Sequence, residues 1–286
     1  MKRYKILHRT YYNFPAAVQL EPHVLRLRPR GGYELHIESS SLNITPPATL
    51  RWHRDVEDNS VAIATFQTLT TQLAIESTII IQQYNDAPLD FLVADYAMYY
   101  PFAYLSDDLV VLSPYRQAGD PRSELLEKWV ASIWQPGEKL QTYSLLQRLA
   151  ERIQQTLVYQ SREEPGVQSA ADTLKRGMGS CRDSAYLFME AARRLGFAAR
   201  FVSGYLHTQP SPTDLGATHA WAEVFLPGAG WKGFDPTIGA IVGTDHIAVA
   251  VARQPEAVPP IAGAYVGPPG ATLDVGVWVM DITPEI

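Results

Sequence analysis

GMGSCRDSAYLFMEAARRLG, residues 177–196, is the stretch that decides the fold. Gly177-Met178-Gly179 reads as a turn. Ser180 is an N-cap with Asp183 at the third helical position, a capping-box variant. Helical spacing then runs through Leu187 and Ala191 to Leu195-Gly196, where glycine suits the residue past a helix end and Arg193 and Arg194 suit the last turn. Upstream the period is also helical: Leu125, Leu126, Trp129, Val130, Ile133 and Trp134 form one stripe, and Leu145, Leu146, Leu149, Ile153 and Leu157 another, with a short third helix over Val167 to Lys175. Downstream the period is that of strands, over Ala199–His207, His219–Leu226, Trp231–Phe234, His246–Val251 and Leu273–Ile282, with Pro227-Gly228-Ala229-Gly230 as a hairpin loop. Helices first and strands after predict an α+β unit in which helices pack on an antiparallel sheet.

Residues 1–115 read differently. Tyr4 to Phe14, Val24 to Arg28, Leu35 to Ile44, Leu50 to His53, Val61 to Phe66 and Leu73 to Tyr84 are short alternating runs separated by turns such as Pro29-Arg30-Gly31-Gly32. This predicts an all-β, sandwich-like N-terminal domain over 1–115, ahead of an α+β domain over 116–286. Residues 86–120 read as a loop-like connector whose Tyr96, Tyr99, Tyr100, Phe102 and Tyr104 pack between the domains, in preference to lining a groove.

The bulk properties remove several function classes. A chain of 286 residues accommodates two domains of roughly 100–200 residues each. The net charge of −6, with no basic stripe, argues against nucleic acid and anionic membrane as partners. A single cysteine excludes an intramolecular disulfide and a multi-cysteine zinc site. No signal-peptide or membrane-spanning run is visible, which sets a cytoplasmic location as the expectation.

That cysteine, Cys181, falls in the first helical turn, where unpaired backbone N–H groups and the helix dipole favour negative charge. The same N–H groups can hold an oxyanion. Polar neighbours set it apart from an inert buried thiol. Of seven histidines, His219 opens the alternating strand His219-Ala220-Trp221-Ala222-Glu223-Val224-Phe225 after a turn at Gly216-Ala217-Thr218, and is the first candidate base. His246 is the runner-up, read as structural, and His207, beside a Pro-rich loop, the third. Asp235, held extended by Pro236, ends the strand paired with that of His219 and can orient its imidazole across the sheet. An Asp-Pro turn initiator explains Asp235 equally well by spacing alone. Trp221 and Glu223 share the predicted His219 face. Glu223 there can favour an amine-bearing substrate group, although an exposed strand charge is the commoner explanation.

Three blocks, Gly179-Ser180-Cys181-Arg182-Asp183-Ser184-Ala185, Thr218-His219-Ala220-Trp221-Ala222-Glu223-Val224 and Gly230-Trp231-Lys232-Gly233-Phe234-Asp235-Pro236-Thr237, resemble, in order, the core blocks of the bacterial transglutaminase-like superfamily. Asp245-His246-Ile247-Ala248-Val249-Ala250 is similar to a strand that follows in these proteins, and the N-terminal β region resembles the domain that often precedes the core. The resemblance implies a papain-like core with Cys181 as nucleophile, His219 as base and then acid, and Asp235 as orienting group. Arg182 stands where the animal crosslinking enzymes usually have Trp, and their calcium loops are not recognisable, which turns the expectation away from crosslinking. Tyr159 and Gln160 are weak candidates for a second oxyanion donor.

The resulting expectation is a cysteine-dependent hydrolase of amide or peptide bonds, acting on a peptide or protein through an acyl-enzyme on Cys181, with no metal and no cofactor. Two other readings stand beside it. One is transglutaminase-type acyl transfer to an amine. The other is a non-catalytic binding module that keeps the fold.

Overall fold

A computed structural model describes residues 1–84, 89–119, 123–162, 164–208 and 218–284. Six strands come first: β1 (Lys2–Leu20), β2 (His23–Leu25), β3 (Leu35–Thr45), β4 (Ala48–Arg54), β5 (Ser60–Phe66) and β6 (Thr70–Gln83). The helical segment follows as β7 (Tyr99–Tyr100), α1 (Ser106–Arg116), α2 (Glu124–Ala131), β8 (Leu140–Gln141), α3 (Thr142–Thr156), β9 (Val158–Tyr159), α4 (Ala170–Arg176), β10 (Met178–Gly179) and α5 (Cys181–Arg194). The remaining strands are β11 (Ala199–Leu206), β12 (His219–Leu226), β13 (Gly230–Asp235), β14 (Ala240–Ile241), β15 (His246–Ala252), β16 (Ile261–Ala262), β17 (Tyr265–Val266) and β18 (Thr272–Asp281).

The long strands β1 and β6 follow the two-residue period, which β1 breaks at an irregularity between Asn13 and Val18. Tyr4, Ile6, His8 and Thr10 on one, and Leu73, Ile75, Ser77, Ile79, Ile81 and Gln83 on the other, all turn to the same buried face. Part of that face packs on the small sheet β16-β2-β5-β4, burying Phe14, Val18, Leu25, Ala64, Phe66 and Leu73 as a sandwich core. The other part, through Tyr4, Ile6, Ile79 and Ile81, packs instead on Tyr205, Ile247 and Val249 of the following α+β unit. One sheet face thus joins the two halves of the molecule.

The α+β unit centres on α5, whose Ala185, Phe188, Met189 and Ala192 lie in one core with Phe201, Ala222, Val224 and Phe234 of the antiparallel sheet β14-β13-β12-β11-β15. Arg193 is itself buried in the last turn. It pairs with Glu190 at 2.8 Å and donates to the carbonyls of Ala199, Arg253 and Tyr115. No helix among the described residues is long and apolar enough to cross a membrane.

Two features differ from the sequence reading. Residues 106–116, read within a loop-like connector, form α1; its only buried residue is Leu112, and Pro114 lies inside it, so it carries almost no apolar period. The aromatic part of that connector does pack inward. Tyr100 Oη donates to Leu195 O and Tyr104 Oη to Phe225 O, while Phe102 lies against Phe197. Secondly, β16, β17 and β18 return to the N-terminal sheets, with β18 pairing along β1 from Tyr4↔Asp281 to Asn13↔Thr272. The line between 115 and 116 therefore does not separate the two sets of sheets.

His8 illustrates how the halves are joined. Tyr205 Oη donates to Leu27 O, so His8 Nδ1–H donates to Tyr205 Oη at 3.1 Å, and Nε2 accepts from Thr10 Oγ1 at 3.0 Å. Burial pushes this imidazole down from 6.5 to about 4. The unfolded chain therefore takes up a proton that the folded one does not, between those two values, and stability falls as pH drops through that window. The expected loss is roughly 2–3 kcal/mol between neutral pH and pH ~4.5, read by urea denaturation. His8→Gln should remove most of this loss; an unchanged pH dependence would refute the assignment.

Candidate active site

The backbone is shaped around Cys181 before any side chain acts. Gly177 closes α4 at φ 64°, a left-handed position that favours glycine. Gly179 packs on Asp183 so closely that an added Cβ would lie 2.8 Å from the Asp183 Cβ. Between them β10 runs parallel to β9, with Val158 N donating to Gly177 O and Gln160 N to Gly179 O, both at 2.9 Å.

Asp183 locks the start of α5. Its fully buried carboxylate accepts from Ser180 N at 2.8 Å and Ser180 Oγ at 2.9 Å, from Gln168 N at 2.7 Å and Nε2 at 3.1 Å, and from Arg162 at 2.7 and 3.0 Å. Burial works to raise its pKa, but these hydrogen bonds override it and hold the carboxyl below its ordinary value. The Ser180–Asp183 contact is the one the sequence anticipates. Arg162 and Gln168 carry no local signal.

Cys181 is the first residue of α5 and is 8% exposed. Its thiol is near enough to the His219 side chain, at the start of β12, to favour the charged imidazole. His219 Nε2 is 2.6 Å from Asp235 Oδ2, so Nδ1 is the nitrogen that faces the sulfur. Asp235, fully buried at the end of β13, also accepts from Thr237 N through Oδ1 at 2.9 Å. Burial alone would push the His219 imidazole down. Its hydrogen bond to Asp235, the nearby Cys181 sulfur and the charges on both raise it instead to about 10. Asp235 shows the mirror effect: burial pushes it up, but hydrogen bonds from His219 and His246 hold it well below the usual carboxylate range. A cysteine, a histidine and an aspartate spread over α5, β12 and β13 thus meet as one thiol–imidazole–carboxylate chain.

Comparison with known families matches residues 129–236 to the transglutaminase-like superfamily core and residues 4–82 to the bacterial transglutaminase-like N-terminal region. The chain belongs to the transglutaminase-like superfamily. An uncharacterized protein of Mycobacterium tuberculosis is 35% identical over 146 residues, 48% of this chain and 46% of its own length. One of Mycobacterium leprae is 35% identical over 119 residues, 40% of this chain and 41% of its own. The chain spans about half the length of the curated relatives it matches. Among solved structures, a candidate cysteine protease from Cytophaga hutchinsonii superposes with a TM-score of 0.75 at 19% identity, covering 100% of this chain and 92% of that one. The shared fold is the papain-like α+β arrangement. The superfamily is one of cysteine-dependent hydrolases and acyltransferases.

The other sequence candidates fare unevenly in this transglutaminase-like site. Trp221 is 1% exposed and packs edge-on to the His246 ring with centroids 5.2 Å apart, so it is a wall behind the site and offers no substrate surface. Glu223 is taken by Arg200 at 2.7 Å, and Arg200 in turn faces Glu57 and lies over the Trp231 ring, so this carboxylate belongs to a structural ion pair. Tyr159 on β9 and Gln160 just after it are exposed, but the backbone N–H of Gln160 is spent on Gly179 O. Next to them Gln160, Arg162, Gln168 and Met178 line a polar hollow of about 410 Å³. Gly216 and Ala217 of the expected turn before His219 lie outside the described residues, as does most of the Pro-rich loop after His207.

His219, Asp235 and His246 also place one donor atom each within 4.8 Å of one another, the spacing of a metal site. In the structure these atoms are engaged with each other, at 2.6 Å for His219 and 3.1 Å for His246, each against Asp235 Oδ2. By sequence His246 stands behind His219 as a candidate base and reads as structural. Its contact with Asp235 crosses from β15 to β13, which are not neighbours in the sheet.

Proposed function

We propose that this transglutaminase-like protein is a cysteine-dependent hydrolase of amide or peptide bonds, with a peptide or protein as substrate. The observation that carries the reading is the helix-N-terminal thiol of Cys181 held against an imidazole whose far nitrogen is fixed by a buried carboxylate. Sγ gives its proton to His219 and attacks the carbonyl carbon, and His219 delivers that proton to the departing amine as the C–N bond breaks, leaving an acyl-enzyme. His219 then takes a proton from water as the water oxygen attacks the thioester, and the carboxylic acid leaves with Sγ restored. Asp235 keeps the imidazole oriented and its cation stable through both halves. Hydrolysis is favoured over crosslinking by Arg182, whose guanidinium is turned onto the carbonyls of Arg162 and Glu164, so that the residue after the nucleophile builds no aromatic wall.

Cys181→Ala is the direct test, on an amide or peptide panel followed by mass spectrometry of the products. Turnover is expected to fall by at least about 10³-fold, as for other lost nucleophiles. Unchanged turnover would exclude Cys181 chemistry. An added primary amine that captures the acyl group in place of water would shift the reading to acyl transfer.

A further inference from the structure

His246 has no step in this scheme, yet its ring is more tightly specified than a bystander's. Its Nδ1 accepts from Gly243 N–H at 3.3 Å. A backbone N–H can only donate, so the ring proton sits on Nε2, aimed at Asp235 Oδ2 3.1 Å away. That oxygen is the one that meets His219 Nε2. Asp235 is therefore held from two sides, by the imidazole it orients and by a second imidazole behind it.

What holds His246 comes from the other half of the molecule. Gln83 Nε2, at the end of β6, donates to the His246 carbonyl at 3.0 Å. The adjacent Asp245 carboxylate accepts from Tyr4 Oη at 2.7 Å and Lys2 Nζ at 2.9 Å, both on β1, and lies 3.5 Å from His207. Trp221 closes the ring's remaining side. The charged and titratable groups facing His246 are thus Asp235 and His219 on one side, and Asp245 with its Lys2, Tyr4 and His207 partners on the other.

We propose that His246 is a positioning residue for Asp235, and that the N-terminal sheet, through Gln83, Tyr4 and Lys2, fixes it and so forms part of the active-site support. This rests on the thiol-hydrolase reading above. It gives the N-terminal region a role in chemistry as well as in assembly: without it the strand carrying Asp245-His246 loses its anchors while Cys181, His219 and Asp235 remain in the chain.

The test is the labelling rate of the single thiol by iodoacetamide, as a function of pH, in the full chain. It is run on the unaltered protein, His246→Ala, His246→Gln and Tyr4→Phe, each with a thermal melt. Weakened support for the carboxylate should slow labelling near neutral pH by about 10-fold in His246→Ala and displace its pH profile, as misplaced supporting groups do elsewhere. His246→Gln keeps an N–H at similar reach and should recover to within about 3-fold, a rescue that a merely space-filling role would not give. Tyr4→Phe should slow labelling by about 3-fold, with the melt lowered by several degrees and the cooperative transition kept. If His246→Ala labels like the unaltered protein, or if it is unfolded and His246→Gln labels no better than unfolded chain, the positioning role is overturned. An unaltered profile in Tyr4→Phe overturns the N-terminal part. If the unaltered protein itself labels like an ordinary free thiol, the hydrolase reading is the one that fails.

Discussion

Asp235→Ala is expected to lower amide turnover by about 10³–10⁴-fold while leaving Cys181 in place, the size of effect seen when an orienting carboxylate is lost from a nucleophile–histidine pair. Asp235→Asn should do little better. Oδ2 of Asp235 receives both histidine Nε2–H groups and Oδ1 receives Thr237 N–H, so every neighbour is a donor. An amide has one acceptor oxygen and one NH₂; whichever way it is turned, its NH₂ meets a donor. Loss of the carboxylate should also drop His219 from about 10, because the burial that pushes it down is then opposed only by Cys181. Imidazole NMR across pH reads this directly, and an unmoved His219 titration in Asp235→Ala would refute the arrangement. The same shift bears on stability. A histidine raised above its unfolded value of 6.5 stabilises the fold fully below that pH and loses the contribution as pH rises towards 10. The unaltered protein should weaken across that alkaline window, and Asp235→Ala should weaken less.

Asp183→Ala is expected to give the largest loss of stability, about 3–5 kcal/mol, because it leaves the Arg162 guanidinium without its buried partner. It also breaks the Ser180–Asp183 capping box of α5 and frees the Gln168 donors. In a chain of this size that corresponds to a fall in Tm of about 10 °C. The Arg162→Met/Asp183→Leu double variant should recover part of the loss, since it removes both charges together. A thermal melt within a degree or two of the unaltered protein for Asp183→Ala would show that the carboxylate is dispensable. Because Asp183 is held below its unfolded pKa, its contribution is complete above that value and disappears as pH falls through the lower, folded one.

The legible parts of this molecule are those whose partners lie close in sequence. Ser180 and Asp183 are three residues apart, and a capping box is read from that spacing alone. His219 and Asp235 sit on strands joined by a short hairpin, so their meeting follows from the turn at Pro227-Gly228-Ala229. The same logic explains what was not legible. Arg162 and Gln168 reach Asp183 across α4, His246 reaches Asp235 across non-neighbouring strands, and Arg200 claims Glu223 by cross-strand pairing, a choice that an alternating pattern does not encode. The α1 helix escaped because only Leu112 is buried in it. The return of β18 escaped because an alternating strand states which face is apolar and never names the strand it will pair with.

That last pairing has a consequence for how the protein is made. β1 is synthesised well before β18, its neighbour along one edge, which follows only after the whole segment that carries Cys181, His219 and Asp235. During all of that interval a 19-residue strand keeps an open edge, a template for pairing with other nascent chains. The later-made partner therefore acts as the seal on the earlier-made strand.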